Sequence, residues 1–253
     1  MDTSTVFLSD AVKIKNQKIN LDATVPIEAQ MALLSYYAYD DYLPKFSHAG
    51  FGWVLIESVG NKYSVQGKLF RKLQTNGKFI YTVAFRGTDS WLDMINNLNQ
   101  IGVNSMKGQA YEAEAYVKKV VLRFLPNMKA MYLTGHSLGG YLAQWVQSEI
   151  DDGLLYAPIP TSTYTFNAPG FTKLKHVTNP YYLSVKRKLA NPEKYSNIYN
   201  VKIKGDPVSL IGTTLGEGPT KILEIKHPLE GFDAIALHQI LRFIEYYDLP
   251  ISS

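Results

Sequence analysis

Met131-Tyr132-Leu133-Thr134-Gly135-His136-Ser137-Leu138-Gly139-Gly140-Tyr141-Leu142-Ala143-Gln144-Trp145-Val146 decides how the rest of the chain is read. Its first half, with Ala130 ahead of it, is a short apolar run of strand character. Its last half has helical apolar spacing. Between them Gly135 and Gly139 bracket Ser137 as G-x-S-x-G. A serine on a sharp strand-to-helix turn has strained backbone angles, and its neighbours on either side pass so close that a Cβ would clash. The hydroxyl would then sit at a helix N-terminus, where free N–H groups favour developing negative charge. The N–H of Leu138 would face an oxyanion formed at Ser137.

Around this turn the pattern alternates. Pro26 opens a helical run through Tyr37, with Thr24 as a nearby cap. Residues 52–57 and 63–70 read as a hairpin about Gly60-Asn61. The near-continuous apolar run Lys78 to Phe85 suits a strand buried on both faces. A helix is expected over Gln109–Phe124, strands over 162–166 and 198–203, a helix within Pro180–Leu189, a short strand over Lys221–Lys226, and a last helix over Gly231–Tyr247. Strands alternating with helices predict an α/β fold with a mostly parallel sheet covered on both faces. With 253 residues and no repeat or linker, one domain over 1–253 is the economical reading.

Composition narrows the classes. Hydrophobic residues make up 46% and charged residues 19%, which is globular rather than disordered. There is no cysteine, so disulfides and thiolate zinc sites are out. No apolar run approaches a membrane span, and the first residues lack the basic start and apolar core of a secretory signal. The compartment stays open between the cytoplasm and a non-classical export route. The net charge of +4 favours contact with an anionic membrane surface only mildly, and nothing points to nucleic acid.

A serine hydroxyl needs a base within hydrogen-bond reach, and the base needs an orienting acid. On sheets of this kind the order along the chain is serine, acid, histidine. Asp206 meets the first requirement: it follows the strand ending near Ile203 and is held between Gly205 and Pro207. Asp233 is its rival, but it lies five residues from His238 in one predicted helix, too far around the axis to orient that ring. His176 precedes any plausible acid. His227 and His238 both remain as candidates for the base, with His238 preferred. His136 would point away from the serine, as a packing residue or as a support behind the site. The loop Arg86-Gly87-Thr88-Asp89 ends an earlier strand, and there Thr88 can offer a second oxyanion donor.

Phe85-Arg86-Gly87-Thr88, Gly135 to Gly140, Phe166-Asn167-Ala168-Pro169 and Asp206-Pro207-Val208 together resemble the class 3 (fungal-lipase-like) lipases and their bacterial relatives, over roughly residues 75–245. The resemblance implies an α/β-hydrolase fold, Ser137 as nucleophile, Asp206 as acid, Thr88 and Leu138 as the oxyanion hole, and no metal or cofactor. The family's histidine maps best to His238. The implied activity is hydrolysis of acyl esters of lipids, as a glyceride lipase or phospholipase A. The alternatives are an esterase or thioesterase on small polar acyl substrates, or a silent lipid-binding or interaction module. Two segments could cover a pocket: the polar stretch 90–104, and the basic insert 171–196, which could equally be a solvated excursion.

Overall fold

The computed structural model describes residues 25–60, 64–88, 102–172, 179–216, 220–224 and 238–251. Seven strands form one sheet in simple chain order. They are β1 (Trp53–Val59), β2 (Gly67–Leu73), β3 (Phe79–Phe85), β4 (Met128–His136), β5 (Thr161–Phe166), β6 (Ile198–Ile203) and β7 (Lys221–Leu223). The first two join antiparallel, β1 to β2 and β2 to β3, and every pairing from β3 to β7 is parallel. This is the mostly parallel α/β sheet that the alternating pattern predicts.

Among the described residues the α-helices include α1 (Ile27–Tyr37), α2 (Gly102–Phe124), α3 (Leu138–Asp151), α4 (Pro180–Lys188) and α5 (Leu241–Tyr246). Period-two alternation along each strand sends side chains to two separate cores. On one face Tyr81, Val83, Met131 and Leu133 pack against Val117 and Val121 of α2, Trp145 of α3 and Tyr181 of α4. On the other, Ala84, Phe166, Val201 and Ile203 pack against Met31 and Leu34 of α1 and Phe243 of α5. The central strands β3 and β4 are therefore covered on both sides over most of their length, which is why they read as near-continuous apolar runs, while β7 at the sheet edge leaves Lys221 and Ile222 exposed.

Boundaries differ from the sequence reading at several points, and β2 runs Gly67–Leu73 rather than 63–70. Helix α2 begins at Gly102, seven residues before Gln109, so the far end of the polar stretch 90–104 is helical. Pro26 is the cap position of α1 and makes no side-chain capping bond. The last helix is not continuous through Tyr247. The Arg242 N–H bonds the Gln239 carbonyl and Phe243 that of Ile240, so a fresh helix starts at Leu241. Residues 89–101, 173–178 and 225–237, which include Asp89, His176, His227 and Asp233, lie outside the described residues.

The 171–196 insert is no solvated excursion where it is described. Tyr181, Tyr182, Val185 and Lys188 of α4 are buried. Lys188, the last residue of the basic run, is wholly buried; its Nζ lies 2.9 Å from Glu149 Oε1 and 2.9 Å from Asp152 Oδ2 at the end of α3.

Candidate active site

The strand-turn-helix around Ser137 has the geometry its glycines imply. Ser137 has φ 56° and ψ −129°, a left-handed conformation rare for a residue with a side chain. A Cβ on Gly135 would lie 2.3 Å from the carbonyl carbon of Gly139, so neither strand nor helix has room for one. The Ser137 N–H bonds the Phe166 carbonyl at 3.0 Å, and its own carbonyl accepts from Gly140. Leu138 opens α3, so its N–H is among the helix donors that lack an intrahelical partner.

Asp206 leaves β6 through Gly205, whose φ is +88°. It is fully buried, and its two carboxylate oxygens have separate partners. Oδ2 accepts the Ser209 N–H at 2.9 Å. Oδ1 lies 2.9 Å from His238 Nδ1. A carboxylate only accepts, so Nδ1 carries the ring proton and Nε2 is left as an acceptor. Nε2 is 2.8 Å from Ser137 Oγ. The structure thus brings Ser137, His238 and Asp206 into one hydrogen-bonded line, each under one-twentieth exposed. The arrangement can pass the serine proton to the imidazole while the carboxylate fixes the ring's tautomer.

The frame behind this line is polar and fully partnered. Asn167, at the end of β5, has φ 45° and accepts the Ile203 N–H through Oδ1 at 2.8 Å, which extends the ladder past the strand to the point where Asp206 departs. Lys202 Nζ donates to the Ser209 carbonyl at 2.7 Å from behind the acid loop; burial lowers its pKa, and the nearby Asp206 opposes that. Gln144 of α3 spans the Pro169 carbonyl and the Leu215 N–H.

The loop after β3 passes directly over the serine. A Cβ on Gly87 would stand 2.7 Å from the His136 carbonyl oxygen and 3.2 Å from Ser137 Cβ. Arg86 pairs with Asp41 at 2.6 Å, and its guanidinium lies over the Tyr39 ring. Gly87 gives its N–H to the Tyr39 hydroxyl at 3.1 Å. Gly87 is therefore already committed, and Thr88, the next residue, is the loop's candidate donor toward Ser137. His136 bonds neither the Ser137 hydroxyl nor the Asp206 carboxylate. Its partners are Tyr39 and the main chain of His238, and Tyr39 is the site neighbour that sequence reasoning missed. It lies in the turn just after α1, two residues beyond Tyr37, with nothing local to mark it. Among the described residues no group of three or more His, Asp or Glu is placed to hold a metal ion, and no helix is long and apolar enough to cross a membrane.

A mostly parallel sheet with helices on both faces and a serine turn at the end of a central strand defines an α/β-hydrolase fold. The profile of the Tle-like phospholipase domain, described as phospholipase-like, matches residues 31–247, and the chain belongs to that family. Its general class is that of a lipid ester hydrolase. Among curated proteins, none matches the chain. Similar solved structures include M37 lipase, 13% identical over 74% of this chain and 70% of that one, with a TM-score of 0.49. The extracellular lipase LipA from Serratia marcescens is 20% identical over 65% of this chain and 29% of its own length, with a TM-score of 0.40. EstE5, in crystals soaked with p-nitrophenyl butyrate, is 14% identical over 98% of both chains, with a TM-score of 0.35.

Proposed function

We propose that this chain is a single-domain serine carboxylic ester hydrolase that cleaves acyl esters of lipids, a glyceride lipase or phospholipase A akin to the class 3 lipases. Ser137 attacks the acyl carbonyl. His238 takes its proton and hands it to the leaving alcohol. Asp206 holds the imidazole in the Nδ1–H tautomer. The Leu138 N–H and Thr88 stabilise the tetrahedral oxyanion, and water then releases the fatty acid from Ser137. No cofactor takes part. The observation that carries this reading is the buried line from Ser137 Oγ to His238 Nε2 at 2.8 Å and from Nδ1 to Asp206 at 2.9 Å.

A fatty acyl substrate is favoured over a small polar ester by the match of residues 31–247 to the phospholipase-like domain family. The exposed face of α4 carries Leu183, Lys186 and Arg187, which suits transient contact with an anionic membrane.

A fluorophosphonate probe tests the assignment. Wild type should be labelled at Ser137, and Ser137→Ala should be neither labelled nor active on dioleoyl phospholipid vesicles or triolein emulsions. Equal labelling of Ser137→Ala would remove the nucleophile. A labelled wild type that releases fatty acid from neither substrate but turns over p-nitrophenyl acetate would favour the small-ester alternative.

A further inference from the structure

We infer that His136 and Tyr39 are positioning residues: they tie the main chain of His238 to the loop after β3, so that base and oxyanion loop share one frame with the nucleophile. The inference rests on the reading of Ser137 as nucleophile and His238 as base.

The hydrogen-bond directions leave one solution. His136 Nε2 is 2.5 Å from the His238 carbonyl oxygen. A carbonyl can only accept, so Nε2 carries the proton, and in a neutral ring Nδ1 is then an acceptor. Nδ1 lies 3.0 Å from the Tyr39 hydroxyl, which must donate to it. The Tyr39 oxygen in turn accepts the Gly87 N–H at 3.1 Å. The chain therefore runs from Gly87 through Tyr39 and His136 to His238, with each proton pointing the same way. A second proton on His136 would break it. Nδ1–H would face the Tyr39 oxygen, which already accepts from Gly87 and would have to turn its own proton elsewhere. Burial first, and then the charge of His238, hold the His136 pKa well below its ordinary value of 6.5, in keeping with the neutral form.

The break in the C-terminal helix is part of the same device. In a continuous helix the His238 carbonyl would accept from Arg242, four residues on. Here Arg242 bonds Gln239 instead, at 3.1 Å, and the His238 carbonyl is taken by His136. The base is thus held at both ends: its ring by Asp206 and its main chain by the residue preceding the nucleophile. The two histidine rings lie 4.7 Å apart between centroids. When His238 becomes a cation, a neutral His136 adds no repulsion. A histidine that merely filled space would need no such order of protons.

The test uses the rate of fluorophosphonate labelling of Ser137 on the full chain, normalised to the fraction finally labelled. Loss of folded protein lowers that fraction; misplacement of base or loop lowers the rate. Tyr39→Phe deletes one oxygen and should slow labelling about 10–100-fold at full amplitude. His136→Leu keeps bulk without hydrogen bonds and should slow it comparably. His136→Gln, which can donate and accept along the same line, should recover most of the rate. The double variant Tyr39→Phe/His136→Leu should be no slower than the slower single one, because both break one chain. Rates for Tyr39→Phe within about twofold of wild type, or losses that multiply in the double variant, would overturn the inference. If His136→Leu fails to fold, Tyr39→Phe and His136→Gln still decide it. Labelling that persists in Ser137→Ala would instead sink the nucleophile reading beneath it.

Discussion

A Cβ on Gly139 would stand 2.1 Å from the carbonyl oxygen of Phe85, where β3 ends and the loop over the serine begins. The contact is backbone to backbone, so no side chain can yield. Gly139→Ala must push α3 off the sheet, and it should cost more than about 3 kcal/mol or abolish folding. Gly108, within α2, meets nothing within 4 Å, and Gly108→Ala should instead stabilise the protein by about 0.5–1 kcal/mol. Urea midpoints of the two variants measure both signs.

Asp206 separates orientation from charge. Asp206→Asn keeps the size and an acceptor for the Ser209 N–H, but its amide can turn an N–H toward His238 and favour the wrong tautomer. Turnover should fall by about 10³–10⁴-fold with the fold intact, by analogy with serine proteases. A loss under tenfold at unchanged thermal midpoint would argue against the acid's role.

Lys188 is buried between Glu149 and Asp152 and also lies over the Trp145 ring at 5.2 Å. Lys188→Met leaves Glu149 buried without its cation and should destabilise by about 3–5 kcal/mol. Lys188→Met/Glu149→Leu should recover much of that, since the uncompensated charge is gone. Thermal melts of the pair test whether α4 is pinned to α3 by this cluster.

His136 also makes stability pH-dependent. Its folded-state pKa is lowered from 6.5, by burial and then by His238, so the unfolded chain binds a proton that the folded chain refuses. Its contribution is whole above about pH 6.5 and is lost as pH falls below it. Among the described residues, Tyr39 and His238 are the titratable groups against the ring. The urea midpoint of wild type should decline from pH 7 to 5, and His136→Gln should decline less over that window. Parallel declines would show that other groups dominate the acid limb.

The serine turn was the most legible part of the chain, because its constraint is local: a clash between Gly135 and Gly139 can be read from spacing alone. The strands were legible for a related reason, since burial on both faces leaves unbroken apolar runs such as 79–85. Tyr39 was not, because its partners lie 48 and 97 residues away and its place in the turn after α1 gives no hint of them. Lys188 misled for the same reason. A lysine in a basic run reads as solvent-facing until two acids from α3 are seen beside it. The break after His238 was hidden too, since Gln239 and Ile240 are ordinary helix residues and only His136 supplies a reason to stop.

At the backbone of Ser137, with φ 56°, vigour and robustness pull apart. Any L side chain there is held against its preference at roughly 1–3 kcal/mol, and only glycine escapes. An inert Ser137→Gly protein should therefore outlast Ser137→Ala on heating, reversing the usual ranking of those two residues. The hydroxyl is displayed by a contortion that the remainder of the molecule must continuously enforce.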